Sequence, residues 1–103
     1  MPDLVIVAYR PLPGCEAALA RLARDHHPRL AALGLVTDRA PVLMRAADGT
    51  LVEVFEWKDG ATERAHGMPE VQALWADYAA LCTYRPIAEL DEATSLFATF
   101  APL

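Results

Sequence analysis

Cysteine is scarce in this sequence, which has only Cys15 and Cys82, and no short spacing joins them. Two isolated thiols in an intracellular chain are usually reduced and structural, so we expect no disulfide. Long apolar runs are also missing, because the longest one near the start, Leu4 to Ala8, is too short for a membrane span or a signal-peptide core. Asp3 stands where a signal peptide carries positive charge. These absences predict a cytoplasmic protein.

Positive charge is in short supply as well. Nine Lys and Arg residues stand against fourteen Asp and Glu residues, which gives a formal net charge of -5. Nucleic acids and anionic membrane surfaces both require a basic face, so neither is expected as a partner. The chain has no phosphate-binding glycine loop, no dinucleotide fingerprint and no Gly-x-Ser-x-Gly motif. We therefore expect no nucleotide cofactor, and no complete set of nucleophile, base and orienting residue is visible.

Apolar side chains, in contrast, make up 54% of the 103 residues. This length allows one domain, which spans residues 1–103. β-Branched and aromatic residues predict strands over 4–10, 41–46, 51–57 and 94–100. Asp48-Gly49 between the second and third strands is typical of a hairpin turn, so these two strands are expected to pair antiparallel.

Helical spacing of apolar residues predicts two main helices. The first covers residues 15–33, and Pro28 inside it should kink or restart it. The second consists of a short piece over 62–66 and a restart at Pro69, followed by a connector over 83–93. Their apolar faces comprise Leu19, Leu22, His26, Leu30 and Leu33 in the first helix, and Val71, Leu74, Trp75, Tyr78 and Leu81 or Cys82 in the second.

The order β-α-β-β-α-β predicts an α+β, ferredoxin-like fold, with a four-stranded antiparallel sheet and two helices on one face. The helices cover only that face, yet the strands carry apolar residues on both faces. In the third strand, for example, Val52 lies on one side and Phe55 on the other. Monomers rarely expose so large an apolar patch, so the open sheet face is expected to pack against a second copy. The prediction is a homodimer that forms a dimeric α/β barrel.

Three segments carry a family resemblance: residues 54–58 at the end of the third strand, 65–71 where the helix restarts, and 33–41 leading into the second strand. Through them the chain, over nearly its whole length, resembles the dimeric α/β-barrel superfamily and, within it, the antibiotic-biosynthesis-monooxygenase-like domains. That group includes cofactor-free oxygenases of aromatic polyketides, haem-degrading enzymes, isomerases and members with no known activity. The resemblance therefore indicates the fold more closely than the chemistry.

The resemblance also bears on the kind of reaction. The haem-degrading branch uses an asparagine on the first strand, and a tryptophan and a haem-ligating histidine on the second helix. This chain has Tyr9, His66 and residues 75–77 near those positions, so haem degradation is disfavoured. The oxygenases of the group bind an oxidisable phenol between helices and sheet, deprotonate it and let it react directly with oxygen. The resemblance thus implies a small aromatic or polyketide-like ligand and no cofactor.

His26 and His27 are the candidate general bases, because imidazole exchanges protons near neutral pH. Helical spacing points His26 toward the sheet, where the alternative role is a core histidine bonded to a carbonyl freed by Pro28. His27 lies about a hundred degrees further round the helix. It would face the pocket only if Pro28 shifted the register. A metal site formed by the two with His66 is not expected, since adjacent helical histidines point in different directions.

Tyr9 and Arg45 are the remaining candidate catalytic residues, and they are expected to assist the base. An alternative role for Arg45 is a cross-strand ion pair with Glu53. Glu53 and Glu56 lie on opposite faces of the third strand, so one of them is expected to point inward. The expected ligand-binding residues, for which packing is the alternative role, are Trp57, His66, Trp75 and Tyr78.

Two functions remain open from the sequence. The first is a cofactor-independent monooxygenase, or a related isomerase or decarboxylase, acting on a small aromatic or polyketide-like molecule. The second is a non-catalytic homodimeric domain that binds a small ligand or serves as a scaffold. A cavity beside one of the histidines is required by the first function and not by the second.

Overall fold

A single antiparallel sheet of five strands organises the chain, whose computed structural model describes residues 1–103. The strands lie in the order β4-β1-β3-β2-β5, and every neighbouring pair is antiparallel. Their bounds are Asp3–Pro11 for β1, Val42–Arg45 for β2, Leu51–Trp57 for β3, Cys82–Arg85 for β4 and Ala101–Pro102 for β5. The protein is therefore an α+β domain, and its sheet has five strands rather than the four expected.

Three helices accompany the sheet: α1 over Glu16–Ala32, α2 over Ala61–His66 and α3 over Pro69–Ala79. A kink or a restart was expected at Pro28, and the structure excludes the restart, because α1 runs without a break through this residue. It ends in a Schellman turn, in which Leu35 donates its backbone N–H to the carbonyl of Leu30. Gly34 supplies the left-handed residue of this turn, with φ at 73°. None of the helices is long and apolar enough to cross a membrane.

The position of the fourth strand was wrongly predicted. Residues 95–100 form no strand, and Thr94 belongs to a 3-10 turn over Asp91–Thr94. The strand beside β1 is instead Cys82–Arg85, with Tyr84 directly opposite Tyr9. In the sequence, Cys82 continues the apolar spacing of α3. The spacing therefore does not indicate that the helix ends at Ala79. Pairing with Cys82–Arg85 satisfies backbone hydrogen-bonding groups along an edge of β1. Because the two strands are far apart in the sequence, local sequence patterns do not indicate that they pair.

The helices pack on one face of the sheet and enclose the main core there. Alternation along β3 directs Leu51, Phe55 and Trp57 to this face, where they are buried. The apolar stripe predicted for α1 is confirmed, because His26 and Leu30 are buried beneath the helix. The remaining large buried side chains of this core are Tyr9, Leu19, Leu35, Val71, Leu74 and Tyr78.

The opposite face of the sheet is only partly open. The segment that follows β4 folds back over one end of it, and Leu90 packs with Ala8 and Val52 in a second, smaller core. Ile87 and Phe100 border this cluster. Beyond the covered end, a strip of exposed aliphatic side chains remains, each more than half accessible to solvent: Leu4, Ile6 and Val42.

Candidate functional site

A cavity of about 410 Å³ lies between the sheet and the helices and opens to solvent. Its volume falls within the range of small-molecule sites. Seven of its nine lining residues are hydrophobic, and no lysine or arginine is among them. The lining residues are Val5, Val7, Tyr9, His26, Phe55, Trp57, His66, Trp75 and Tyr84.

A buried carboxylate, Glu53, ties together two residues of the cavity wall. It has no solvent exposure. The hydroxyl of Tyr9 donates to its Oε1 at 2.7 Å, and Nδ1 of His26 lies 2.8 Å from the same oxygen. A carboxylate enclosed in an apolar core requires such partners, since an unpaired buried charge is strongly destabilising.

Regular strand pairing brings these three residues to one place. Tyr9 lies on β1 and Glu53 on β3, and their side chains point to the helix-bearing face by the two-residue period of each strand. His26 reaches them from the buried stripe of α1. Three separate elements therefore converge on one carboxylate oxygen.

The hydrogen bond from Nδ1 fixes how His26 faces the cavity. Because the carboxylate oxygen accepts, Nδ1 is the protonated nitrogen of the neutral ring, and Nε2 retains its lone pair. The ring is also held edge-on against Phe55 and Tyr78, with centroid separations of 5.4 and 5.3 Å. An oriented imidazole with a free Nε2 at a cavity wall has the geometry of a general base.

Tyr9 acts here as a hydrogen-bond donor to Glu53. Burial, reinforced by the nearby charge of Glu53, raises the pKa of Tyr9 far above its ordinary value. Burial also raises the pKa of Tyr78, whose ring stacks on Tyr9 at a centroid distance of 4.7 Å. Tyr84 is half exposed, and burial raises its pKa to about 12. All three phenols therefore stay protonated near neutral pH and do not provide a base at the cavity wall.

Similarity to known proteins is found among solved structures. No protein-family model matches the chain, and no curated protein matches it. The solved structure of Rv0793 from Mycobacterium tuberculosis is 30% identical in sequence and superposes with a TM-score of 0.60, covering 91% of this chain and all of that one. The chain belongs to the family of Rv0793. Membership of the Rv0793 family supports the small α/β fold and leaves the activity open.

Five of the eight candidate site residues line the cavity in this member of the Rv0793 family: Tyr9, His26, Trp57, His66 and Trp75. Tyr78 lies behind the wall, fully buried against Tyr9 and His26. His27, the neighbour of His26 on α1, does not line the cavity. The structure thus separates the two histidines that the sequence left undecided.

Arg45 also lies away from the cavity. It is exposed and sits opposite Leu51 in the β2–β3 hairpin, whereas the residue opposite Glu53 is Leu43. The predicted ion pair between Arg45 and Glu53 is therefore absent, since the register places Glu53 two pairs further along and its side chain points toward His26. No group of three or more His, Cys, Asp or Glu side chains is placed to hold a metal ion.

The role of Glu53 is the main feature that sequence reasoning missed. Strand alternation indicated that either Glu53 or Glu56 points inward, without deciding which. Glu56 bonds to Thr37 and lies near Arg39, while Glu53 enters the core. A signal in favour of Glu53 was that it shares its side of β3 with the large apolar residues Phe55 and Trp57, but Glu56 shares the other side with apolar valines. His26 was assigned a backbone carbonyl as its alternative partner, and the structure gives it this carboxylate instead.

Proposed function

We propose that this protein is a cytoplasmic, cofactor-independent monooxygenase-like enzyme that acts on a small aromatic or polyketide-like molecule in the cavity. One observation carries the proposal: His26, oriented by Glu53, presents Nε2 to an aromatic-lined cavity of about 410 Å³. The apolar walls favour a flat ring system, and the oriented imidazole provides a base for its hydroxyl.

The proposed chemistry begins with proton transfer from the phenol of the substrate to Nε2 of His26. The resulting phenolate is electron-rich enough to reduce dioxygen directly. For a phenol with hydrogen on the carbon para to its hydroxyl, one oxygen atom of O₂ becomes the new carbonyl of a quinone, and the other leaves as water with the two hydrogens the substrate loses. The substrate supplies all the electrons, so no external reductant is required.

The architecture proposed for this site is the ferredoxin-like one of the antibiotic-biosynthesis-monooxygenase-like group. The strand order β4-β1-β3-β2 and the succession of helices support it, with β5 as an addition at the edge of β2. The segments that carry the family resemblance support it as well. Within this fold, the cavity lies on the helix-bearing face.

The proposed assembly is a homodimer through the other sheet face, forming a dimeric α/β barrel. The exposed strip of Leu4, Ile6 and Val42 supports it, because β1 and β2, on either side of β3, present aliphatic side chains to solvent there. Ile6→Lys places a charge in the middle of this strip and is expected to yield a monomer in light scattering, where the wild type is a dimer. A monomeric wild type at micromolar concentration would rule out this assembly.

The enzymatic proposal is tested by oxygen uptake with a panel of phenols, naphthols and anthrones. We expect turnover of at least one compound, and we expect His26→Ala to reduce its rate about a hundredfold or more, the usual size of a general-base effect. His27→Ala provides the matched control, since it changes the neighbouring histidine outside the cavity. Equal loss in both variants would contradict the assignment of His26 as the base.

The second candidate function is a non-catalytic homodimeric module that binds a small ligand. It is favoured by the structural use that the fold already makes of His26, since the Glu53 network also stabilises the core. Binding of phenols without any oxygen uptake, with unchanged ligand recovered after incubation, would establish this alternative and exclude the first.

A further inference from the structure

A second histidine, His66, lines the same cavity from its open side. It is the last residue of α2 and is exposed, whereas His26 is enclosed. Nδ1 of His66 lies 2.7 Å from the carbonyl oxygen of Thr62, one helical turn earlier. Since a carbonyl only accepts, Nδ1 carries the proton and Nε2 keeps its lone pair. The edge of the ring packs against Trp75, at a centroid distance of 5.0 Å.

The two imidazoles therefore offer the same chemistry to a ligand. In each, the protein fixes the tautomer through Nδ1 and leaves Nε2 as an acceptor. One acceptor lies on the enclosed wall and the other beside the opening. The hydroxyl of Tyr9 is already committed to Glu53, so it does not compete for the ligand.

The charge of the lining restricts the ligand further. No lysine or arginine borders the cavity, and Glu53 lies directly behind His26. A carboxylate or phosphate group would lose its hydration here without meeting a cation, at a cost in binding free energy. A pure hydrocarbon would leave both Nε2 acceptors without donors while displacing water from them.

We propose that the cavity selects an uncharged aromatic molecule with two hydroxyl groups, one donated to Nε2 of His26 and the other to Nε2 of His66. This inference rests on the proposed function, because it takes a phenol to be bound at His26. It adds the substrate class, an aromatic diol, and assigns His66 as the residue that determines specificity at the cavity entrance.

The test uses quenching of the fluorescence of Trp57 and Trp75, which both line the cavity. The probes are a set of naphthalenediol isomers, 1-naphthol and a hydroxynaphthoate. Each net hydrogen bond contributes about 1 kcal/mol, so at least one diol should bind about fivefold more tightly than 1-naphthol. The hydroxynaphthoate should bind more weakly than 1-naphthol.

Variants of His66 then assign the second hydroxyl. His66→Leu should reduce the affinity for the preferred diol to that for 1-naphthol, with no change for 1-naphthol itself. His66→Gln retains an acceptor and should preserve part of the difference, and His27→Ala, outside the cavity, should preserve all of it. His66 is exposed, so these substitutions are not expected to disturb folding.

The outcomes distinguish this inference from the proposed function on which it rests. Equal affinities of diols and 1-naphthol in the wild type, or a preference for diols that survives His66→Leu, would overturn the diol inference and leave phenol binding at His26 standing. Failure of every naphthol to bind would overturn both.

Discussion

Single residues decide the chemistry of this cavity, and Glu53 is the most consequential of them. A fully enclosed carboxylate requires donors, and here Tyr9 and His26 both bond to one oxygen, Oε1, whereas Oε2 has no hydrogen-bond partner. The contact that pairs Oε1 with His26 also sets the tautomer of the imidazole. Stability and the proposed chemistry therefore depend on the same hydrogen bonds.

Removal of one donor measures the contribution of this network to stability. Tyr9→Phe deletes the hydroxyl that donates to Glu53 and keeps the ring, so it is expected to lower the free energy of unfolding by about 2 kcal/mol. Tyr84→Phe is the control, because that hydroxyl belongs to a half-exposed side chain without a hydrogen bond in the chain, and its effect should stay below about 0.5 kcal/mol. Urea unfolding of both variants checks the difference, and equal stabilities would contradict it.

The tautomer of His26 is a second property that depends on Glu53. Long-range proton–nitrogen correlation spectra of the neutral ring should show Nδ1 protonated and Nε2 bare. Glu53→Gln puts an amide that can donate beside Nδ1, so it should raise the population with the proton on Nε2. His66, fixed by the carbonyl of Thr62, should keep its tautomer in both proteins. A wild-type His26 with its proton on Nε2 would contradict the geometry.

At the scale of elements, the end of α1 shows how a local rule fixes a boundary. Gly34 has φ at 73°, in the left-handed region where a Cβ is strained. Gly34→Ala meets no neighbouring atom, so the backbone strain alone should lower the free energy of unfolding, by about 1 kcal/mol. Gly67 follows α2 with φ at -92°, an ordinary value. Gly67→Ala is therefore the matched control for thermal or urea unfolding and should change stability little, and equal losses would contradict the argument from φ.

Elements with strong local signals were predictable from the sequence, and those held by distant partners were not. The buried face of α1 follows from the spacing of Leu19, His26 and Leu30, and the β2–β3 hairpin from Asp48-Gly49. Strand β4 was not predicted because Cys82 extends a helical pattern and because the pairing partners of β4 on β1 lie some seventy residues earlier.

The candidate site likewise has a part that could be predicted from the sequence and a part that could not. Aromatic residues and His26 could be assigned to a pocket from the faces they occupy. The link from Glu53 to His26 and Tyr9 could not, because it depends on which β1 and β3 residues stand beside one helix of the assembled sheet. Strand alternation limits the inward-pointing carboxylate to Glu53 or Glu56, and only tertiary packing selects Glu53.

At the scale of the whole molecule, the buried phenols couple folding to alkaline pH. Burial raises the pKa values of Tyr9 and Tyr78 well above that of an unfolded tyrosine, which is about 10. Below that pH, both states keep these protons and stability is fully present. Above it, the unfolded chain releases protons that the folded protein retains, so the free energy of unfolding falls as pH rises.

Each of these tyrosines is expected to remove about 1.4 kcal/mol of stability per pH unit above about pH 10. Urea unfolding at a series of alkaline pH values gives the slope, and ionisation of Tyr9 and Tyr78 should accompany unfolding rather than precede it. Tyr78→Phe should reduce the slope by about 1.4 kcal/mol per pH unit, whatever its effect on stability at neutral pH, because it removes one of the coupled protons. The raised pKa values of Tyr84 and Cys82, about 12 and about 11, contribute alike to the wild type and the variant. An unchanged slope in Tyr78→Phe, or ionisation of both phenols while the sheet stays folded, would show that the interior around Glu53 is open to water. That result would also weaken the case for the enclosed site in which His26 is proposed to act.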